Sequence, residues 1–229
     1  MSDSYFRLQL KKFSHKSRTK KFELFGAVFR PGPQDRVLDI GASGEVFLHY
    51  TFEDVYPYPE RIVAGGCELG EVLSARRLHP RPRYVLFDGC SLPFADKSFD
   101  VVYCVATLHH ALDLRQMVRE MARVARPGAV VAGLNEGTRG VGRSPENPDQ
   151  ASEKEVGINE HVHTVWAYAA AFLGAGLRVR RLERPDGWPP SPYGRVLSKI
   201  PKIGLSLGTL THLSAVHYCG VSVYARKPS

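Results

Sequence analysis

The sequence has no long apolar runs. No segment approaches the roughly 18 consecutive apolar residues that a membrane-spanning helix needs. Its first residues, MSDSYFRLQLKKF, have no apolar core followed by small residues, so they do not predict a signal peptide. We therefore expect a cytoplasmic protein.

Cysteine is also scarce, with four among 229 residues. None belongs to a Cys-x-x-Cys pair or to a Cys/His cluster with the spacing of a zinc site. Scattered cysteines in a chain of this length are typical of reduced packing residues, which argues against a disulfide framework and a structural metal. The four are Cys67, Cys90, Cys104 and Cys219.

The composition is that of a globular domain, because 43% of the residues are hydrophobic and 24% are charged. The net charge is +8, and residues 1–30 hold eight basic and two acidic side chains, so most of this charge lies in an N-terminal arm. Such an arm is either a solvated helix face, which we favour, or a surface for phosphates or anionic lipids.

Short apolar runs alternate with helical patterns along the rest of the chain. Helices are predicted at 69–78, at 114–124, where apolar residues recur at helical spacing, and at 163–173, and a further helix is expected to open at 46–50. This alternation predicts an α/β protein with a doubly wound, parallel sheet. The predicted strands are 36–40, 62–66, 84–87, 99–105, 129–134, 177–182 and 218–225.

Two segments interrupt the alternation. Residues 135–160 are rich in Gly, Pro, Ser and charge, which predicts a mobile loop. Residues 184–215 combine Pro and Gly with apolar residues and lysines, and we expect them to form an insertion that covers the substrate side together with the arm. The predicted organisation is an arm, 1–30, and a single domain, 31–229.

Polar residues follow the first three predicted strands. The first strand runs into Asp39-Ile40-Gly41 and then Ser43-Gly44, and a glycine turn of this kind lets a ligand approach the backbone closely. Glu68 follows the second strand and Asp88-Gly89 follows the third. Because ligands of doubly wound sheets bind outside the carboxyl ends of the strands, these residues are candidates for one site.

With these motifs the sequence resembles the class I S-adenosylmethionine-dependent methyltransferases, in particular their small-molecule (methyltransferase type 11-like) group. The family patterns VLDxGxGxG, GxD/E, DxxxLPF and FDVV correspond in order to 37–45, 66–68, 88–94 and 99–102. The resemblance extends from about residue 36 to 128. It implies a Rossmann-like sheet of seven strands, mostly parallel with an antiparallel last strand, and S-adenosyl-L-methionine as cofactor.

The resemblance also implies the residues that hold the cofactor. They are Asp39, Gly41, Ser43 and Gly44 at the methionine part, Glu68 at the ribose hydroxyls, Asp88 and Gly89 at the adenine, and Cys104 and Val105 on the methionine side.

A candidate base follows the fourth strand. His109 and His110 lie where the reactive methyl group should be, and a neutral imidazole can take a proton from a hydroxyl acceptor. We favour His109 over His110; either could instead cap or pack at the next helix. A second cluster, Glu160, His161 and His163, has metal-binding residue types but more closely resembles the start of a helix, with His161 a candidate for substrate contact.

We therefore predict a methyltransferase that acts on a small or medium organic acceptor, at oxygen. One alternative is an RNA or other nucleic-acid methyltransferase, which the basic arm and the pI of about 9.4 favour. Another is a non-catalytic methyltransferase-like binding protein, because Ser43 and Glu45 replace family glycines. For the N-terminal arm and the 184–215 insertion, we rank covering of the substrate first, ordinary packing second and membrane contact third. The sequence leaves the oligomeric state open.

Overall fold

The computed structural model describes residues 32–41, 58–138, 161–183 and 219–229. Seven strands lie in these ranges, and three α-helices and two 3₁₀ turns connect them. The strands are β1 (Val37–Ile40), β2 (Ile62–Gly66), β3 (Arg83–Leu86), β4 (Phe99–Val105), β5 (Ala125–Thr138), β6 (Arg178–Glu183) and β7 (Cys219–Arg226). The helices are α1 (Leu69–Leu78), α2 (Leu114–Val124) and α3 (Val165–Gly174), and the 3₁₀ turns are Pro59–Arg61 and Leu108–His110.

All seven strands join one sheet in the order β3-β2-β1-β4-β5-β7-β6. The pairs from β3 to β5 are parallel, whereas β7 runs antiparallel to both β5 and β6. This confirms the predicted α/β fold with an antiparallel last strand. The strand order changes direction between β1 and β4, so a crevice opens there at the carboxyl ends of the strands.

The central strands are buried on both faces, as their uninterrupted apolar sequences predict. Every residue of β1 is buried, and so is every residue of β4 except Asp100. The register sets Asp39 of β1 opposite Ala64 of β2 and Tyr103 of β4. A polar side chain is thereby enclosed near the end of an otherwise apolar strand.

Helices α2 and α3 cover one face of the sheet. Asp113 caps α2 by accepting a hydrogen bond from the Gln116 amide, and Thr164 caps α3 in the same way. Tyr168 and Phe172 of α3 are fully buried, whereas Trp166 is 40% exposed. Among the described helices, none combines the length and the apolarity needed to cross a membrane.

The structure corrects several predicted boundaries. Strand β5 continues to Thr138, so the predicted start of the loop at residue 135 is wrong, because residues 136–138 pair with β7. Helix α3 begins at Val165 because His163 forms a β-bridge with Thr138 instead. Strand β3 begins and ends one residue earlier than predicted. The arm, the 184–215 insertion and the rest of the predicted loop lie outside the described residues.

Candidate active site

The turn after β1 lies directly against the turn after β4. Gly41 has a φ of 80°, and its amide donates to the Gly65 carbonyl at 2.7 Å. A Cβ atom at Gly41 would lie 2.4 Å from the Thr107 Oγ1 atom. Only glycine suits this position, because the conformation is left-handed and the neighbouring side chain fills the space. Gly41 therefore lies at the carboxyl edge of the sheet, as predicted.

Asp39 is buried just below this turn, with only 8% of its surface exposed. Burial raises the pKa of its carboxyl group to about 7, and a hydrogen bond with Tyr103 acts in the opposite direction. No ion pair links Asp39 to a basic side chain within the described ranges. Burial thus disfavours the ionised form of this carboxyl group.

Acidic side chains follow β2 and β3 at the same edge. Glu68 is the exposed N-cap residue of α1, and its side chain forms no capping hydrogen bond. The Asp88 Oδ1 atom accepts from the Cys90 amide at 2.8 Å, which fixes this side chain in a turn. Burial is the main cause of a raised pKa of Cys67, and the charges of Glu68, Glu71 and Asp88 add to it. The charges of the acidic residues after β2 and β3 therefore act on the same group, the Cys67 thiol.

The segment after Asp88 is held against α2 by Arg123. This guanidinium donates to the Leu92 carbonyl at 2.9 Å, the Phe94 carbonyl at 2.8 Å and the Asp96 carboxylate at 2.7 Å. Glu120 accepts from both Arg123 and the Leu92 amide. Hydrogen bonding from Arg123 is the main reason that the pKa of Glu120 is lowered. These contacts fix the backbone that follows the predicted adenine-binding residues.

His109 is paired with a buried carboxylate that our sequence analysis did not single out. Its Nδ1 atom lies 2.8 Å from the Oε2 atom of Glu136, a residue with no exposed surface. Glu136 also accepts from the backbone amides of Thr107, at 3.1 Å, and His109, at 3.3 Å. One carboxylate therefore orients the imidazole and holds the turn after β4. The sequence signal that could have identified Glu136 is the apolar run 129–134, because it predicts a strand that leads directly into this residue.

Cys104 and Val105 end β4, and both are buried. The Cys104 thiol lies 3.9 Å from the Glu136 Oε1 atom. Burial, followed by the charges of Glu136 and Asp39, holds the pKa of this thiol well above its usual range. Val105 contributes its carbonyl oxygen, which accepts from the Thr107 hydroxyl at 3.0 Å. Cys104 is thus a buried thiol whose surroundings disfavour its thiolate form.

Two residues with left-handed backbones flank the Glu136 pair. Ala106 has a φ of 51° and Asn135 a φ of 59°. The Asn135 amide donates to the Ser222 hydroxyl at 3.1 Å, while its side-chain Oδ1 atom is buried without a hydrogen-bond partner in the described part of the chain. Conformations of this kind are concentrated at functional sites.

The other histidines lie beside the pair. The ring of His110 contacts the ring of His109, with 4.1 Å between centroids, and the His161 amide donates to the His109 carbonyl at 2.9 Å. The predicted helix start at residues 159–163 is wrong for His161 and His163, which precede α3, His163 in a β-bridge with Thr138. Across the described ranges, no group of three or more His, Cys, Asp or Glu residues is arranged to hold a metal ion.

The comparisons with known proteins agree with this geometry. Residues 38–133 match the family model described as "Methyltransferase domain". This part of the chain therefore resembles the class I S-adenosylmethionine-dependent methyltransferase domains. The demethylmenaquinone methyltransferase of Corynebacterium urealyticum is 35% identical to it over 100 residues, which are 44% of this chain and 41% of that protein. The chain thus aligns with about two-fifths of that relative.

Solved structures share the fold of the described residues. A chain in the complex between the Haloferax volcanii Trm112 methyltransferase activator and a methyltransferase has a TM-score of 0.67 at 17% identity, covering 99% of this chain and 95% of that one. Geranyl diphosphate C-methyltransferase from Streptomyces coelicolor also has a TM-score of 0.67, at 12% identity, covering 99% and 85%. The methyltransferase domain therefore has a well-known architecture.

The described residues fit S-adenosylmethionine chemically. The cofactor presents hydroxyl, amino and ammonium donors and a positively charged sulfur, and the crevice offers the carboxylates of Asp39, Glu68 and Asp88. Two of the predicted cofactor residues, Ser43 and Gly44, lie outside the described residues, as does Glu45.

Proposed function

We propose that this protein transfers the methyl group of S-adenosylmethionine to a hydroxyl group of a small or medium organic acceptor, with His109 as general base. The observation that carries the proposal is the buried pair of His109 and Glu136, which lies beside the contact of Thr107 with Gly41. A base aligned at the methyl-donor crevice is what a hydroxyl acceptor requires.

Glu136 gives His109 a defined tautomer in this proposal. A carboxylate accepts a hydrogen bond, so the proton of the neutral imidazole resides on Nδ1 and the lone pair on Nε2. The Nε2 atom then receives the acceptor's proton as the oxygen attacks. The cofactor supplies an electrophilic methyl group that needs no further activation, so the protein contributes mainly alignment and proton removal.

Cofactor binding is assigned to the carboxyl ends of the first four strands. Glu68 would accept hydrogen bonds from the ribose hydroxyls, and Asp88 and Gly89 would bind the adenine. Asp39, Gly41, Cys104 and Val105 would surround the methionine part, together with Ser43 and Gly44. The support for this set is the acidic edge around Cys67 and the left-handed glycine turn at Gly41 that ends β1.

The acceptor is assigned from the chemistry of the site. The similar proteins named above are a demethylmenaquinone methyltransferase and a geranyl diphosphate C-methyltransferase, and both names denote organic, non-polymeric acceptors. A base such as His109 can remove a proton from a hydroxyl group or from an acidic carbon. We infer an oxygen acceptor because the hydroxyl proton is more accessible to a base than the proton on carbon. The basic arm, on which the nucleic-acid alternative depends, lies outside the described residues.

The first experiment measures cofactor binding by titration calorimetry with S-adenosylhomocysteine. Glu68→Ala should weaken binding by about 1.5–3 kcal/mol, the range for hydrogen bonds to a charged group. Glu71→Ala, on the same helix and half-buried, is the matched control and should change the affinity little. Wild-type affinity in Glu68→Ala would remove Glu68 from the site, and no binding to the wild type would reject the function.

The second experiment measures transfer from S-adenosylmethionine carrying a tritiated methyl group to catechol, 1-naphthol, propylamine and a short RNA. Methylation of a phenol supports the proposal, whereas labelled RNA or amine alone contradicts it. His109→Gln should lower the transfer rate by roughly 10²–10⁴ with the affinity for S-adenosylhomocysteine retained. His79→Gln, at the C-cap of α1, controls for the loss of a histidine elsewhere.

A further inference from the structure

Helix α3 is apolar around its whole circumference. Its ten residues, VWAYAAAFLG, include no charged side chain. The one hydroxyl group, that of Tyr168, is used inside the protein, where it donates to the Gly137 carbonyl at 2.9 Å. A surface helix of a globular protein normally carries polar residues on its outer side, and a helix that is apolar all round is normally enclosed. In this structure, however, only one side of α3 is enclosed.

The outer face of α3 consists of Trp166, Ala170, Leu173 and Gly174. Trp166 is 40% exposed and Leu173 59% exposed, and Ala170 and Gly174 are exposed as well. Positions 166, 170 and 173 recur at the i, i+4, i+7 spacing that places them on one side of a helix. A Cβ atom at Gly174 would meet nothing within 4 Å, so the surface is open there. A contiguous exposed apolar surface of this kind marks an interaction site.

The composition of the outer face indicates what kind of partner fits it. Helix α3 has no Lys or Arg, whereas helices that bind an anionic membrane carry such residues beside their apolar side. The indole N–H of Trp166 is the sole hydrogen-bonding side-chain group among the four residues, so the face offers little to a polar or charged ligand. The buried centres of homodimer interfaces have this apolar character.

The order of side-chain sizes along the outer face makes it complementary to itself. When two copies of α3 pack antiparallel about a twofold axis at Ala170, residues equally far from Ala170 in opposite directions meet. Trp166, the largest side chain, then meets Gly174 of the second copy, where no side chain occupies the space. Leu173 meets Ala167 of the second copy, which is small and half-buried. The alanine at the axis lets the two helices approach closely.

We propose that this protein forms a twofold homodimer in which the outer faces of two α3 helices pack antiparallel. The inference goes beyond the proposed function and does not depend on it, because it assigns a surface outside the candidate site. Helix α3 has ten residues and is about 15 Å long, so its face is smaller than the roughly 800 Å² per partner of a standard interface. The dimer should therefore be reversible, with a Kd in the micromolar range.

The test is sedimentation velocity on the full chain between about 1 μM and about 200 μM, a range that spans a micromolar Kd. The mass of the wild type should rise from 25.5 kDa toward twice that value, and its Tm should rise with protein concentration. A wild type that stays monomeric over the whole range overturns the proposal. So does a monomeric wild type that co-sediments with phosphatidylglycerol vesicles, because the face would then bind a membrane.

Charge substitutions at the axis test the assignment to α3. Ala170→Glu brings two carboxylates together and should raise the Kd about a hundredfold or more. Ala170→Lys should do the same, and an equal mixture of the two variants should regain the dimer because opposite charges then meet. Leu73→Glu, at a residue 44% exposed on α1, is the matched control and should leave the Kd unchanged. A dimer that survives Ala170→Glu, or that Leu73→Glu weakens equally, overturns the assignment.

Exchange of a large and a small residue tests the antiparallel register. Gly174→Trp fills the space that Trp166 of the second copy would occupy, and Trp166→Ala leaves that space empty, so each should raise the Kd. The double variant restores one large and one small residue at each contact and should dimerise better than either single variant. Circular dichroism verifies that each variant is folded. An unchanged Kd in Gly174→Trp, or a double variant weaker than both single variants, overturns the proposed packing.

Discussion

The Nδ1 atom of His109 lies 2.8 Å from the Oε2 atom of Glu136, and both side chains are enclosed by protein. The same carboxylate accepts hydrogen bonds from two backbone amides of the turn after β4. Glu136 therefore has a structural role as well as the orienting role that we propose. These two roles make different demands on a replacement side chain, which allows them to be separated.

Glu136→Ala should lower the free energy of unfolding by about 3 kcal/mol, because it leaves buried N–H donors of Thr107 and His109 without an acceptor. Glu136→Gln keeps one acceptor oxygen, so its loss should be nearer 1 kcal/mol. Urea unfolding followed by circular dichroism measures both values. Equal stability of Glu136→Ala and the wild type would contradict the hydrogen bonding described here.

Gly41→Ala should destabilise the protein by more than the cost of a left-handed alanine, because its Cβ would also collide with Thr107. Gly128→Ala is the matched control: Gly128 has the same φ of 80°, but a Cβ atom there would meet nothing within 4 Å. The control should cost about 1–2 kcal/mol. Thermal unfolding should rank Gly41→Ala below Gly128→Ala, and the reverse order would argue against close contact between the two turns.

Arg123→Met should destabilise the protein by about 2 kcal/mol, because the guanidinium bonds two carbonyls and two carboxylates of which Glu120 is largely buried. The lowered pKa of Glu120 means that this stabilisation is present above the carboxyl group's unfolded pKa and is lost as the pH falls through its folded pKa. The variant should therefore show a shallower loss of stability below about pH 4.5.

Arg119→Met provides the comparison on the same helix. Arg119 reaches Asp113 only at 4.0 Å, and both side chains are more than half exposed. Such a pair contributes about 0–1 kcal/mol, so its removal should change the unfolding midpoint little at any pH. A similar effect of the two arginine substitutions would show that the Arg123 contacts do not stabilise the protein.

Asp39→Asn should increase stability at alkaline pH. The folded pKa of Asp39 is raised from 3.8 to about 7, so the native state binds the extra proton and wild-type stability falls as the pH rises between these values. The asparagine variant lacks this penalty and should be more stable at pH 8, by at most about 4 kcal/mol. At pH 4 the two proteins should unfold at nearly the same urea concentration.

The sequence alone predicted the main elements of the sheet because their signals are local. The apolar runs of β2 and β4 and the helical spacing of α1 and α2 gave the observed bounds. The end of β5 was predicted too early because its last residues are polar and indicate a loop. Pairing with β7 extends the strand to Thr138. Backbone pairing between distant segments overrides local composition there.

For the candidate site, the sequence determined which residue types stand at the ends of the strands, and the predicted roles of Glu68 and Asp88 remain predictions. Only the tertiary structure decided that Glu136 meets His109, 27 positions earlier in the chain, because a turn after β4 and a bulge in β5 bring them together. Only the tertiary structure decided that the Asp39 carboxyl group is buried, which raises its pKa. Burial depends on every strand packed around the residue rather than on its neighbours along the chain.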